Sequence, residues 1–560
     1  MSSMMPFVIF YLGAVAALLL RGKTRTVVML CVPLIGAFNL MHLDSGVTID
    51  FLGYTFEPVR LDKLSLLFGY LFHLAAFLGI IYNMHEKDTL QHVSGLAYAG
   101  SGLGAVFAGD LITLFIFWEM LAISSVFLIF ARRTNRAYGA GMRYLMINVL
   151  SGVILLSGVI LHASETGSIA FNYIGLTGIG SYLIFLAIGI KCCFPLLHTW
   201  LVDAYPESTP GGTVFLSAFT TKVAVYALAR AFPGTEALIY IGGTMAMFPI
   251  FFAVIENDLR RVLGYSLINQ VGFMVVGIGL GTDLGINGAV AHAFNDVVFK
   301  GLLFMSMGAV LFRTGKMNGS ELGGLYKSMP LTTTFCIVGA ASISAFPLFS
   351  GFVSKSMVMV SALEEGHPYI WLMLLFASAG VFHHAGIKIP FFAFFAHDSG
   401  IRCKEAPWNM LIAMFLASVI CIYNGSFPAL LYSMLPMPVD YVPYTSAHVL
   451  TQVQLLLFSA LAFVILKLTH LYPPELPSVN LDSDWIYRRF LPYVTGCLGG
   501  MIGKVDRLIR SETMTIMGDL VAMIERQHGV KSTMSKTMQT GIMALIVFSV
   551  LLAFLLVMMI

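Results

Sequence analysis

Long apolar runs, each cut by a short cluster of charge, proline or glycine, recur along almost the whole chain. A helix needs about 20 predominantly apolar residues to cross roughly 30 Å of hydrocarbon. Cut on that measure, the runs predict roughly sixteen spans. They start near Met4, Val27, Leu64, Val93, Leu111, Tyr144, Gly178, Thr213, Ala237, Val262, Ile286, Thr332, Tyr369, Trp408, Val449 and Thr540, with a minimal turn at Asp110. The expected fold is an all-α polytopic membrane protein. One segment departs from the pattern. Residues 472–539 are polar, open with Pro473, Pro474 and Pro477, and carry Leu508, Ile509, Met514, Ile516, Met517, Leu520, Val521 and Ile524 at helical spacing. That spacing predicts an amphipathic helix on the cytoplasmic surface or a solvated helix bridging two spans.

Charge turns the pattern into a topology. Of the 32 Lys and Arg residues, five lie inside spans, three in loops after even-numbered spans, and 24 after odd-numbered ones. The positive-inside rule then places the odd-numbered loops in the cytoplasm and both termini outside. A missed or invented span midway would have scrambled that split. The basic run Arg21 to Arg25 follows the first apolar stretch, the wrong order for a cleavable signal peptide, so the first helix is expected to stay. Composition agrees: 58% of residues are hydrophobic and 11% charged, far from a soluble domain. The seven cysteines read as small core residues, because neither disulfide nor zinc spacing is present. There is no cofactor motif, no metal site and no nucleic-acid patch.

Ionisable side chains at bilayer depth cost several kcal/mol and mark function by default (roughly 2.5–3.5 on insertion scales). Glu119 stands mid-span in Leu111–Ala131; Lys191 and Lys222 stand in the next apolar segments; His292, Asp296 and Lys300 recur at intervals of four, on one helix face; Lys355 and Lys388 follow. Burial pulls a lysine from its ordinary pKa of about 10.4 towards neutrality and a nearby carboxylate pushes it back, so a lysine whose partner moves can take up or release a proton. An ammonium cannot coordinate sodium, and only two carboxylates lie deep in spans, so these residues point to proton relay. The bland alternative, a snorkelling or structurally paired charge, weighs most on Lys388, near the end of its span, and the pair His383–His384 reads as structural. Pro195 follows Lys191, while Pro347 and Gly351 precede Lys355. Proline removes a backbone donor, so both helices are expected to break near their lysines, and the reversed order of lysine and proline suggests inverted repeats.

WEMLAISSVFLI around Glu119, the stretch from Lys191 through Pro195, HTWLVDAYPESTPGG, TTKVAVYAL, NDLRRVLGYSLINQVGFM, FKGLLF and FPLFSGFVSK together resemble the antiporter-like subunits of Mrp-type sodium/proton antiporters, the MrpD type above all, and of respiratory complex I. The resemblance runs from about Asp110 to Lys355. It implies fourteen core helices with two inverted five-helix repeats, each containing a broken helix. It divides the chain into N-terminal helices (1–92), a first repeat (93–232), a second repeat (233–397), C-terminal helices (398–471), a lateral segment (472–539) and a final span (540–560). It also implies that Glu119 pairs with Lys191, that Lys222, His292 and Lys300 carry protons inward, and that Lys355 faces a neighbouring subunit. Two features depart from the MrpD type: the lateral extension, which looks like that of the largest antiporter-like component of complex I, and Asp296, which stands where that large component tends to carry a second histidine.

The expected function is therefore a proton-translocating subunit of a multisubunit Na+/proton antiporter in the bacterial inner membrane, working with other membrane subunits on protons and Na+ or K+. The second reading places it in a redox-driven assembly such as an NADH–quinone oxidoreductase or membrane hydrogenase. A membrane transferase would instead place its carboxylates, histidines and arginines in interfacial loops, and here the unusual charges are mid-span.

Overall fold

The computed structural model describes residues 4–43, 47–51, 53–476, 480–532 and 535–559; Pro477, one of the three prolines noted above, lies outside them. The chain divides into two compact units, Met1–Ser483 and Asp484–Ile560.

In the first unit, helices begin where the sequence supplies a cap. Asp62 accepts from the Ser65 amide while Ser65 accepts from the Asp62 amide, a reciprocal box that opens Lys63–Tyr82. Asp110, Thr134, Asp258 and Thr282 each accept from amides in the first turns of Leu111–Phe130, Asn135–Thr166, Leu259–Leu280 and Asp283–Thr314. Each such cap is worth about 1 kcal/mol. Gly167 and Gly315, both in the left-handed conformation, end the two 32-residue helices Asn135–Thr166 and Asp283–Thr314.

Among the described residues, twelve helices are long and apolar enough to cross a membrane, and three shorter apolar ones, Pro6–Leu19, Ile179–Lys191 and Pro330–Ile343, accompany them. The chain is a multi-pass membrane protein. It is not wholly helical: Val47–Phe51 and Tyr54–Val59 pair antiparallel in a small hairpin. Its apolar–polar alternation (Ile49, Phe51; Tyr54, Phe56) has the period of a strand, and a scan for 20-residue apolar runs passes over it.

Both expected breaks are present. Ile179–Lys191 stops at Lys191 and the helix resumes at Thr199–Ala204; Pro330–Ile343 stops and resumes at Ser350–Glu364. Between the arms, Cys193 (φ 64°) and Leu196 (φ 70°) are left-handed, as are Ala345 (φ 58°) and Leu348 (φ 73°). The two breaks thus share one backbone and one text, Phe-Pro-Leu preceded by a small left-handed residue, in the same chain order. A repeat inverted in a membrane keeps its chain order, so the reversed placement of the lysines carries no information about inversion. The lysines sit on opposite arms: Lys191 closes the first arm of one break, and Lys355 lies in the second arm of the other. Gly351 lies in the first turn of its arm instead of in the break, and packs so closely on the Ser342 carbonyl that no Cβ would fit.

The correspondence extends further. Asp110 bridges Ala170 and Asp258 bridges Asn318, and these pairs, the paired glycines and the two 32-residue helices all stand at one constant offset along the chain. Close helix approach recurs as well: a Cβ on Gly158 would stand 2.8 Å from the Ile184 nitrogen, and one on Gly242 2.6 Å from the Val276 nitrogen. Small residues let membrane helices meet backbone to backbone.

The second unit consists of a short π-helical turn, Ile486–Phe490, a 38-residue helix, Leu491–His528, and the apolar helix Thr540–Met558. The apolar positions expected at 508–524 fall within the long helix, and no residue of either α-helix is buried within the unit.

Candidate relay of buried charges

Seven ionisable side chains that the sequence singled out are at most 1% exposed: Lys191, Lys222, His292, Asp296, Lys300, Lys355 and Lys388. Glu119, the eighth, is half-buried. Its carboxylate lies directly over Gly152 on the neighbouring long helix, in space a Cβ would fill, and Oε1 has no hydrogen-bond partner. Lys191 points towards it without forming an ion pair within 4 Å. Its ammonium donates instead to the Trp118 carbonyl (2.5 Å) and lies 4.5 Å from the centre of the Trp118 indole. The ammonium is thus held by a neutral carbonyl and a π face, with no carboxylate bound to it directly.

Further in, Lys222 on Thr220–Ala231 meets Asp296 on Asp283–Thr314, Nζ to Oδ2 2.6 Å, both side chains wholly buried. Lys222 also donates to the Ser217 carbonyl, freed by the discontinuity at Phe219. Among the described residues no other donor meets the Asp296 carboxylate, so Lys222 is the partner that offsets its burial. One turn on, Lys300 donates to Ser266 Oγ (2.8 Å). One turn back, the His292 ring lies between Ser354 Oγ (3.0 Å) and Gln270 Oε1 (3.1 Å), and Gln270 continues to Asn269. Lys355, next to Ser354, donates to the Ile343 carbonyl (2.7 Å) at the end of the first arm of its own break, and lies 5.1 Å from the Phe273 ring centre. The helix break therefore supplies the acceptor for Lys355.

Lys388 is placed differently. Its ammonium reaches the Ala253, Val254 and Glu256 carbonyls at 3.3, 2.7 and 2.6 Å and Glu475 Oε1 at 3.0 Å. Three protons facing four acceptors make it a fixed cap on the C-terminus of Glu236–Ile255. It lies in a π-helical stretch, Phe382–Lys388, with buried His384. His383 stacks on Tyr472.

Sequence reasoning missed the polar partners Trp118, Ser266, Gln270 and Ser354. It also missed Glu475 and Asp482, two acids in a segment read only as polar. Burial lifts the Glu475 carboxyl above the ordinary carboxylate range, against the pull of Lys388. Burial also pushes the Asp482 carboxyl up, but hydrogen bonds from His198 and Tyr265 outweigh it and hold that group low.

Residues 108–382 match the family described as NADH:quinone oxidoreductase/Mrp antiporter, transmembrane. Hydrogenase-4 component B of Escherichia coli is 25% identical over 74% of this chain and 71% of its own length. The Na+/H+ antiporter component A of Alkalihalophilus pseudofirmus is 30% identical over 68% of this chain, which spans 53% of that longer protein. The structure of an archaeal membrane-bound sulfane sulfur reductase contains a chain with the same fold, at a TM-score of 0.71 and 21% identity, covering 98% of this chain and 99% of the other.

Proposed function

With residues 108–382 forming a domain of the NADH:quinone oxidoreductase/Mrp antiporter transmembrane family, we propose that this chain is a proton-translocating membrane subunit of a multisubunit Na+/proton antiporter. It works beside other membrane subunits in a bacterial plasma membrane, with both termini outside. The observation that carries the reading is the line of charge from Glu119 to Lys355, in which each buried member from Lys191 onward is held by neutral polar groups or by one opposite charge. The fold this reading requires is sixteen spans built on two inverted five-helix repeats (93–232 and 233–397). The constant offset between paired caps and bridges, and the recurrence of the same break in both halves, support it.

In this scheme Glu119 swings between Lys191 and a hydrated position over Gly152. When it approaches, Lys191 stays protonated; when it withdraws, the desolvated ammonium gives up its proton inward. Lys222 and Asp296 join the halves, Lys300 and His292 flank that pair, and Lys355 ends the path towards a neighbour. Lys388 anchors the far side, a helix cap with no part in proton transfer.

The redox-driven alternative has its own support, in the hydrogenase-4 relative and in a fold match that includes the C-terminal unit. Inverted vesicles carrying this chain with its partner subunits separate the two. Sodium or potassium should dissipate an imposed pH gradient in wild type, and Glu119→Ala and Lys355→Ala should abolish the exchange at equal expression. Silence of the wild type would favour the redox assembly; normal exchange by both variants would remove the relay.

A further inference from the structure

A helix break is poor in backbone hydrogen bonds of its own, so contacts from outside decide where it sits. Both breaks here are gripped at the same point. At the second, Ser426 Oγ donates to the carbonyl of left-handed Leu348 (3.3 Å), while the Leu348 amide donates to Tyr444 Oη (3.1 Å). At the first, Ser483 Oγ donates to the carbonyl of left-handed Leu196 (3.4 Å). The residue before it, Asp482, receives two donors on one oxygen: His198 Nε2 at 3.2 Å and Tyr265 Oη at 2.7 Å.

His198 is the last residue of the first break and Tyr265 belongs to Leu259–Leu280, so one carboxylate ties the break to a helix of the other half. The site is built for this. The His198 and Asp482 side chains are 3% and 7% exposed, and the imidazole packs on Phe248 at 4.6 Å. Its Nδ1 has no hydrogen-bond partner, so Asp482 is the polar contact that orients the ring. A charged residue of a C-terminal loop has been buried deep in sequence-distant helices, which pays off only if its two donors are kept.

We propose that Asp482 is a positioning residue, a latch that holds the second arm of the first break against Leu259–Leu280 and keeps the Lys191 end of that break shut. Opening the latch lets the Cys192–Leu196 backbone move and admits water beside Lys191. The inference concerns the chain's own mechanics and holds whichever ion is carried.

Two native thiols report on it. Cys192 and Cys193 lie inside the break and are wholly buried. In the full chain in membranes, with its partners and with Cys31, Cys336, Cys403, Cys421 and Cys497 replaced by alanine, maleimide should label the remaining pair slowly. Asp482→Ala, which removes both hydrogen bonds, should speed labelling at least on the order of ten-fold, the scale that even one charge-assisted hydrogen bond would set. Asp482→Glu should restore part of the protection, and Asp506→Ala, at an exposed acid of the second unit, should change nothing. A parallel chain keeping only buried Cys421 should label at one rate with and without Asp482. Wild-type labelling of Asp482→Ala, or equal acceleration at Cys421, overturns the latch. Should Asp482→Ala fail to accumulate, Tyr265→Phe removes one of the two donors; it must give a smaller acceleration, and none would overturn the proposal. Labelling needs no transport, so this result is independent of whether the antiporter reading stands.

Discussion

The carboxylate of Glu119 has its place because residue 152 has no side chain. Gly152→Ala would put a methyl group where that carboxylate lies, and the obstructing atom is the mobile end of a side chain. The variant should fold as well as wild type, since alanine favours a helix by about 1 kcal/mol over glycine, yet lose gradient dissipation as fully as Glu119→Ala. A thermal melt in detergent beside the vesicle assay checks both halves. Asp62 offers a test of pH. Burial raises its carboxyl, but Arg230 (2.8 Å) and the Ser65 amide hold it below the ordinary carboxylate value. The folded state then binds fewer protons there than the unfolded chain, so the pairing contributes fully above about pH 4 and is lost as pH falls through the folded value. Wild type should lose thermal stability as pH falls below about 4, and Asp62→Asn should lose that component of the fall. Residues such as Lys222 and Asp296 were legible in sequence because a charge inside an apolar run is an anomaly by itself. Their acceptors were not: a carbonyl such as that of Trp118 has no letter of its own, and a serine such as Ser266 is unremarkable until a helix brings it opposite a lysine.

At the scale of elements, the breaks were legible through Pro195 and Pro347, while their likeness was not. Four residues, Phe-Pro-Leu and the small one before it, are too few to stand out until their backbones coincide. The left-handed leucines bear the cost of that shape, roughly 1–2 kcal/mol each. Leu196→Val and Leu348→Val should destabilise the protein more than Leu196→Gly and Leu348→Gly do, by about 1–2 kcal/mol, because a β-branched side chain tolerates positive φ worst. Denaturation midpoints of the four variants decide this, and equal midpoints would mean the breaks relax to ordinary conformations. The hairpin Val47–Val59 was missed for a matter of period, and the acids Glu475 and Asp482 because a polar loop gives no sign of returning to the core.

For the molecule as a whole, Lys222 and Asp296 form the joint between two halves of similar construction. Removing one partner leaves an uncompensated buried charge, so Lys222→Met or Asp296→Leu alone should cost about 3–5 kcal/mol. The double variant should recover most of that stability, since an apolar pair can replace a buried ion pair at little cost, and should still fail to move protons. Recovered transport would make the pair a structural tie. The two 32-residue helices have a consequence of another kind. At 1.5 Å per residue each is about 48 Å long, well beyond the roughly 30 Å of a hydrocarbon layer. Their neighbours of about 20 residues are matched to that layer and must tilt when it thins or draw it in when it thickens; the long pair exceeds it at either thickness. A change of acyl-chain length therefore turns the short helices against two fixed posts, one bearing Gly152 under Glu119 and the other Asp296 and Lys300, so lipid thickness becomes a dial on the spacing between the charges.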